Sequence, residues 1–252
     1  MATPIALQLY SVREAMERDF AGVVRSVANM GYLGVETASF PGTTPKAAAQ
    51  LFGELGLEVT SAHLPLPLGE KQQEVLDTMG DLGCERLISA YLSPESYGTV
   101  EQIKRNCDLL NEANSVAKAH GLTLGVHNHW WEFEAVEGRT GYDIWRERLD
   151  PEIFFELDTY WIQTAGVDAA EVVRQAGSRA PLLHIKDGPT MRDEAMVAVG
   201  DGRMDITAVV GAAGDNVEWL IVELDRCATD MMGAVEKSYA YMVGAKLAEG
   251  GK

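Results

Sequence analysis

Apolar runs rich in branched and aromatic side chains recur along the chain. They are "IALQLYS" from Ile5, "GVETAS" from Gly34, "EVTSAHL" from Glu58, "RLISAY" from Arg86, "LTLGVHNH" from Leu122, "FFELDTYW" from Phe154, "PLLHIKD" from Pro181 and "VEWLIVELD" from Val217. Several are continuous rather than alternating, as parallel strands covered on both faces require. Between them the period changes to that of helices. "DFAGVVRSVANMG" sets Phe20, Val23, Val24, Val27 and Met30 along one stripe and stops at a glycine. "TPKAAAQLFGELG" opens on Thr-Pro and stops at Gly56; "TVEQIKRNCDLLNEANSVAKAHG" is the longest such stretch. "DAAEVVRQAG" and "DITAVVGAAG" each open on an aspartate able to cap, and a last helix is predicted from about Thr229 to Ala248.

Eight strands, each followed by a helix at intervals of roughly thirty residues, predict a single-domain (β/α)8 barrel over residues 1–252, with 247–252 a frayed tail. A doubly wound open sheet is the alternative, but neither GxGxxG nor GxxxxGK[ST] is present. The length of 252 residues suits one barrel. A formal net charge of −17 argues against a nucleic-acid partner, since phosphate binding needs clustered Lys and Arg. Cys84, Cys107 and Cys227 are far apart and read as reduced, buried thiols. The sequence opens without a basic, apolar leader, and no run approaches the ~18 apolar residues of a membrane span, so a cytoplasmic protein is expected.

Chemistry in such a barrel gathers at the C-terminal ends of the strands. Those ends carry Gln8, Glu36, His63, His127 and His129 with Glu132, Asp158, His184 with Lys186 and Asp187, and Glu223 with Asp225. An isolated carboxylate there is ordinarily a helix cap or a surface charge, the expectation for Asp187 and Asp225. A lone histidine such as His63 is ordinarily a satisfied core residue, and His120 reads as helix-terminal. Glu132, Asp158, His184 and Glu223 are different, because four ionisable groups buried at matched positions would be costly without a shared partner. Mixed carboxylate and imidazole ligands suit one divalent ion without choosing among Mn, Co, Zn, Fe and Mg.

"LQLYSVRE", "HNHWWEFE", "FELDTYWIQTAGVD", "LLHIKDG", "VGDGRMDI" and "IVELDRC" together resemble the sugar phosphate isomerase/epimerase group of the xylose isomerase-like TIM barrels. The similarity runs from the first strand to the start of the last helix. It implies a divalent metal held at the ends of strands five to eight, with Asp158, His184 and Glu223 matching three of the ligands. His127 stands where many relatives place the first glutamate, and the "HNHxxEF" branch carries a glutamate later, here Glu132; Glu134 and His127 are the other candidates. The resemblance implies a small sugar or cyclitol substrate and leaves a homo-oligomer open.

The chemistry implied is proton removal next to a metal-chelated carbonyl, through an enediolate. Glu132, Glu223 and His129 are the candidates for moving the proton, and His63, His127, Lys186, Trp161 and Glu36 for contacting substrate. Trp130 and Trp131 either wall the pocket or pack under a loop. A sugar isomerase or epimerase is the leading reading. A lyase or dehydratase on a keto-inositol or 3-keto-glycoside would use the same site. A nuclease is disfavoured by five histidines and the acidic balance, and a barrel that only binds is the remaining class.

Overall fold

The structure is a computed structural model that describes residues 2–251. Eight parallel strands close into a barrel in chain order. They are β1 (Ile5–Gln8), β2 (Gly34–Thr37), β3 (Glu58–His63), β4 (Arg86–Ser89), β5 (Thr123–His127), β6 (Phe154–Asp158), β7 (Leu182–Ile185) and β8 (Trp219–Val222). Each coincides with one of the eight apolar runs. Around them lie α1 (Arg13–Met30), α2 (Pro45–Glu54), α3 (Gln72–Leu82), α4 (Val100–Ala119), α5 (Gly141–Arg148), α6 (Thr159–Thr164), α7 (Ala169–Ala176), α8 (Ile206–Ala213) and α9 (Met231–Gly244). The single-domain barrel expected from the pattern is the fold observed.

Local chemistry sets the helix ends. Thr44 accepts from Ala47 N at 3.2 Å with Pro45 in the first turn of α2, and Thr140 and Asp143 form a capping box at α5. Helix α1 begins six residues before the expected start at Asp19, but it kinks there (φ −155°, ψ 84°), and Asp19 Oδ1 accepts from Gly22 N at 2.9 Å. The aspartate caps the second half of a longer helix. The last helix is shorter than expected at both ends, and the segment beyond 247 is pinned rather than loose. Glu249 N donates to Thr3 O at 2.8 Å, Ile5 N to Glu249 O at 3.0 Å, and Gly251 N to Gly31 O at 2.7 Å. Lys252 lies outside the described residues. No helix among the described residues is long and apolar enough to cross a membrane.

The lower barrel interior is filled by Ala6, Ile88, Leu182, Trp219 and Ile221, with Leu33 and Phe154 against them. Two glycines admit the large rings: a Cβ on Gly125 would stand 2.5 Å from the Phe154 ring, and one on Gly34 would stand 2.9 Å from the Trp219 ring. Above this level the register aligns polar residues. Gln8 pairs with Glu36, Glu36 with Ser61, His127 with Glu156, and Asp158 with His184. A long loop after β7 is organised by Asp187, which is buried and accepts from the backbone of Gly188, Gly200, Gly202 and Met204 at 2.8–3.0 Å. Asp187 is therefore neither a helix cap nor a surface charge; its carboxylate folds the "VGDGRM" segment back over the barrel.

Candidate metal centre

Two tiers of ionisable groups occupy the upper barrel. In the outer tier, one donor atom each from His127, Asp158, His184 and Glu223 lies within 4.8 Å of the others. His184 Nδ1 is 2.8 Å from Glu223 Oε2, and His127 Nε2 is 3.8 Å from Asp158 Oδ2. Asp158 divides its work: Oδ1 accepts from Trp161 N at 2.9 Å and caps α6, leaving Oδ2 free to face inward. The Lys186 ammonium stands 2.8 Å from that Oδ2 and 2.6 Å from Glu223 Oε2, and donates to Asp225 Oδ2 at 2.8 Å. The contact with Asp158 is an ion pair in distance but not a well-directed hydrogen bond, so Oδ2 has no hydrogen-bond partner among the described residues.

The inner tier is formed by Glu36, His63 and Glu156, together with the opposite nitrogens of His127 and His184. Glu156 Oε2 is 2.6 Å from His63 Nε2, 3.1 Å from His127 Nδ1 and 3.3 Å from His184 Nε2. Glu36 Oε2 lies 2.7 Å from His184 Nε2 and accepts from Gln8 Nε2 at 2.6 Å, while its Oε1 accepts from Ser61 Oγ at 2.5 Å. His127 and His184 thus each show one nitrogen to the outer carboxylates and the other to the inner ones.

Burial and charge act against each other throughout. Burial alone would lower His63, but Glu36 and Glu156 outweigh it and raise it to about 10. His184 and Lys186 are likewise raised against burial, His184 by Glu156, Glu36 and Glu223, and Lys186 by Asp158, Asp225 and Glu223. His127 is driven well down by burial and then by His184, so it is neutral. Burial works to raise Glu36 and Glu223, yet the adjacent cations hold both below the usual carboxylate range. Four buried carboxylates (Glu36, Glu156, Asp158, Glu223) therefore meet three cations (His63, His184, Lys186). The shortfall falls on two of them. Burial raises Asp158 to about 6 despite Lys186, and burial followed by Glu36 raises Glu156. Unmatched buried negative charge, an unpartnered Asp158 oxygen and converging N and O donors fit a divalent cation.

The structure brings Asp158, His184 and Glu223 together as the sequence pattern anticipates, and it does not bring Glu132 to them. Glu132 sits in a 3-10 turn, Trp131–Phe133, which aims its carboxylate at His129 N, 2.8 Å away. The imidazole of His127 fills the fourth corner instead, and Glu134 pairs with Arg192. His129 lies beyond the end of β5, stacks on Trp131 (4.1 Å between ring centres, 8° between planes) and meets the His127 ring edge-on, 5.1 Å between centres. Burial lowers it to about 3, and its Nδ1 has no partner among the described residues. Trp161 lies under Lys186, 5.6 Å from Nζ, and touches Trp130. Glu36 and His63, expected to meet substrate, are engaged below the outer tier. Glu156 was not singled out from the sequence. Its position two residues before Asp158 on one strand, hence on the same face, is the signal that could have found it.

The model of the xylose isomerase-like TIM barrel family matches residues 24–237. The chain belongs to that family. No curated protein matches its sequence. Among solved structures, a sugar phosphate isomerase/epimerase from Parabacteroides distasonis is 24% identical, with a TM-score of 0.84 over 99% of this chain and 96% of that one. An L-ribulose 3-epimerase is 20% identical, with a TM-score of 0.71 over 98% of this chain and 95% of that one. A probable 3-DHS dehydratase from Bacillus anthracis is 12% identical, with a TM-score of 0.75 over 95% and 98%. At these identities the likeness of this family member to each is one of fold, shared by proteins of different chemistry.

Proposed function

We propose that this protein is a divalent-metal-dependent isomerase or epimerase of a small keto-sugar or cyclitol. The observation that carries the reading is the convergence of His127, Asp158, His184 and Glu223 within 4.8 Å at the strand ends, where barrel enzymes do their chemistry. These four residues would hold the ion. A divalent ion there supplies Lewis acidity to a carbonyl oxygen. The names of the structural relatives, a sugar phosphate isomerase/epimerase and a ribulose epimerase, support the substrate class.

The chain's own groups supply the rest. His129 stands edge-on against the His127 ring, 5.1 Å between centres, and its Nδ1 has no partner among the described residues, which makes it the candidate to move the proton on the carbon next to the carbonyl. Lys186 stays protonated and donates to oxygens of the substrate or of the enediolate that follows. Trp130, Trp131 and Trp161 form a continuous aromatic wall beside these groups, flat faces suited to the C–H surface of a sugar ring.

The test is solvent exchange. Protein loaded with Mn2+ is incubated in D2O with a panel of ketoses and ketocyclitols, and deuterium at the carbon next to the carbonyl is read by NMR. Incorporation that disappears in Asp158→Asn supports the reading, and a product lacking water would shift it to a lyase. Absence of exchange from a protein that also retains no metal would refute it.

A further inference from the structure

We infer a second cation seat beneath the first, formed by His63, His127, Glu156 and His184 with Glu36 behind them, and suited to an ion of the zinc class. One donor atom from each of these four residues lies within 4.8 Å of the others. Around a tetrahedral ion with ligands at about 2.0–2.1 Å, donors stand about 3.3 Å from one another. Glu156 Oε2 already stands 3.1 Å from His127 Nδ1 and 3.3 Å from His184 Nε2, and its 2.6 Å contact with His63 Nε2 opens to admit the ion. Glu36 Oε2, 2.7 Å from His184 Nε2 and 3.1 Å from His63 Nε2, supplies a further oxygen or holds the rings in place.

A second observation points to a missing partner. Glu156 Oε1 is fully buried and has no hydrogen-bond partner among the described residues, whereas both oxygens of Glu36 are satisfied. The outer carboxylates have the Lys186 ammonium standing between them, whereas the inner ones face imidazoles, His63 and His184, which give up a proton when they ligate a metal. The donor sets also differ. The inner seat offers three imidazoles and the outer two, so the inner one favours Zn2+ or Co2+ and the more oxygen-rich outer one suits Mn2+ or Mg2+.

The two seats share His127 and His184 through opposite ring nitrogens. A neutral imidazole has one lone pair, so ligating an ion on one side leaves an N–H on the other. Each seat provides the acceptor for that N–H when the other is filled: Glu223 lies 2.8 Å from His184 Nδ1, and Glu156 lies 3.1 Å from His127 Nδ1. The seats are therefore alternatives. An ion inside takes the lone pairs that an ion outside would need, and the identity of the metal decides which is occupied.

Crystals of the full chain soaked separately in ZnSO4 and MnCl2 test this by anomalous scattering at each metal's edge. A zinc peak between His63 and Glu156, with manganese between Asp158 and Glu223, is the result expected. In calorimetric titrations, His63→Gln should weaken Zn2+ at least tenfold while Mn2+ stays within twofold, and Glu156→Gln should also weaken Zn2+. Zinc found only among Asp158, His184 and Glu223, or no ion in the inner cluster, or equal loss of both metals in His63→Gln, would overturn the second seat. The wild-type maps answer the question even where a variant folds poorly. This inference does not rest on the proposed activity, which fails separately if the outer position stays without an ion and no deuterium exchange occurs.

Discussion

At the level of Ala6, Ile88 and Leu182 the barrel is packed with hydrocarbon and two aromatic rings, while a few residues higher it holds four carboxylates, three imidazoles and an ammonium out of water. Both levels are built on the same eight strands, yet they are held by different forces. Below, each side chain gains by leaving water and filling space, and the glycines at 34 and 125 are there because Trp219 and Phe154 need the room. Above, burial is unfavourable for every charged group and is offset only by its neighbours, so no member of the cluster is stable in isolation. The lower half is therefore a source of stability and the upper half a demand on it.

If that division holds, damage below should cost stability and spare binding. Trp219→Ala removes the largest ring of the lower layer and should destabilise by about 3–5 kcal/mol, a fall in melting temperature of about 6–20 °C for a chain of this size. Manganese affinity measured well below the transition should be unchanged; a parallel loss of affinity would mean that the two levels are one unit.

The converse experiment is Asp158→Asn. The amide keeps the Oδ1 acceptor that caps α6 but removes a charge from the crowded tier. Metal affinity should drop by roughly a hundredfold or more, and the metal-free variant should melt no lower than wild type, because an unmatched buried charge has gone. A clear loss of apo stability would show that Lys186 depends on Asp158 more than on Glu223 and Asp225.

Gly125→Ala should be milder. The added methyl would meet the Phe154 ring at 2.5 Å, and overpacking of this kind costs about 1–3 kcal/mol. Pairing it with a smaller residue at Phe154 should recover most of the loss in thermal melts if the contact, and not the backbone, is the cause.

The smallest effect concerns pH. Burial raises Glu132 to about 8, so the folded chain keeps that proton where the unfolded chain has lost it. Its contribution to stability is complete below the ordinary carboxylate range near 4.5 and falls as pH rises from there to about 8. Glu132→Gln, which preserves the acceptor for His129 N, should leave the melting temperature near pH 4 almost unaltered and raise it at pH 8. A difference between the two proteins that is constant across this range would assign Glu132 a packing role only.

Much of this was legible without coordinates. Runs such as "PLLHIKD" and "VEWLIVELD" identify strands because apolar periodicity is a local property, and the polar residues ending them mark the working face of a barrel once eight are counted. Asp158, His184 and Glu223 could be singled out on that ground. Glu156 was legible only through Asp158: "FFELD" alone does not say which side chains face inward, but positions two apart on one strand share a face. Glu132 is equally deceptive: nothing in "HNHWWEFE" reveals that a 3-10 turn bends its carboxylate back onto the chain.

The order of elements, the helix caps at Thr44 and Thr140, and the acidic and imidazole character of the strand ends are thus properties of the sequence by itself, because each depends on residues a few positions apart. Which nitrogen of His184 faces Glu36 and which faces Glu223 is not. That choice brings together β2, β7 and the end of β8, with 148 positions between Glu36 and His184 and 39 between His184 and Glu223, and it follows from how the barrel closes. Register across distant strands, a tertiary property, turns a list of ionisable residues into two stacked clusters that share the same two rings.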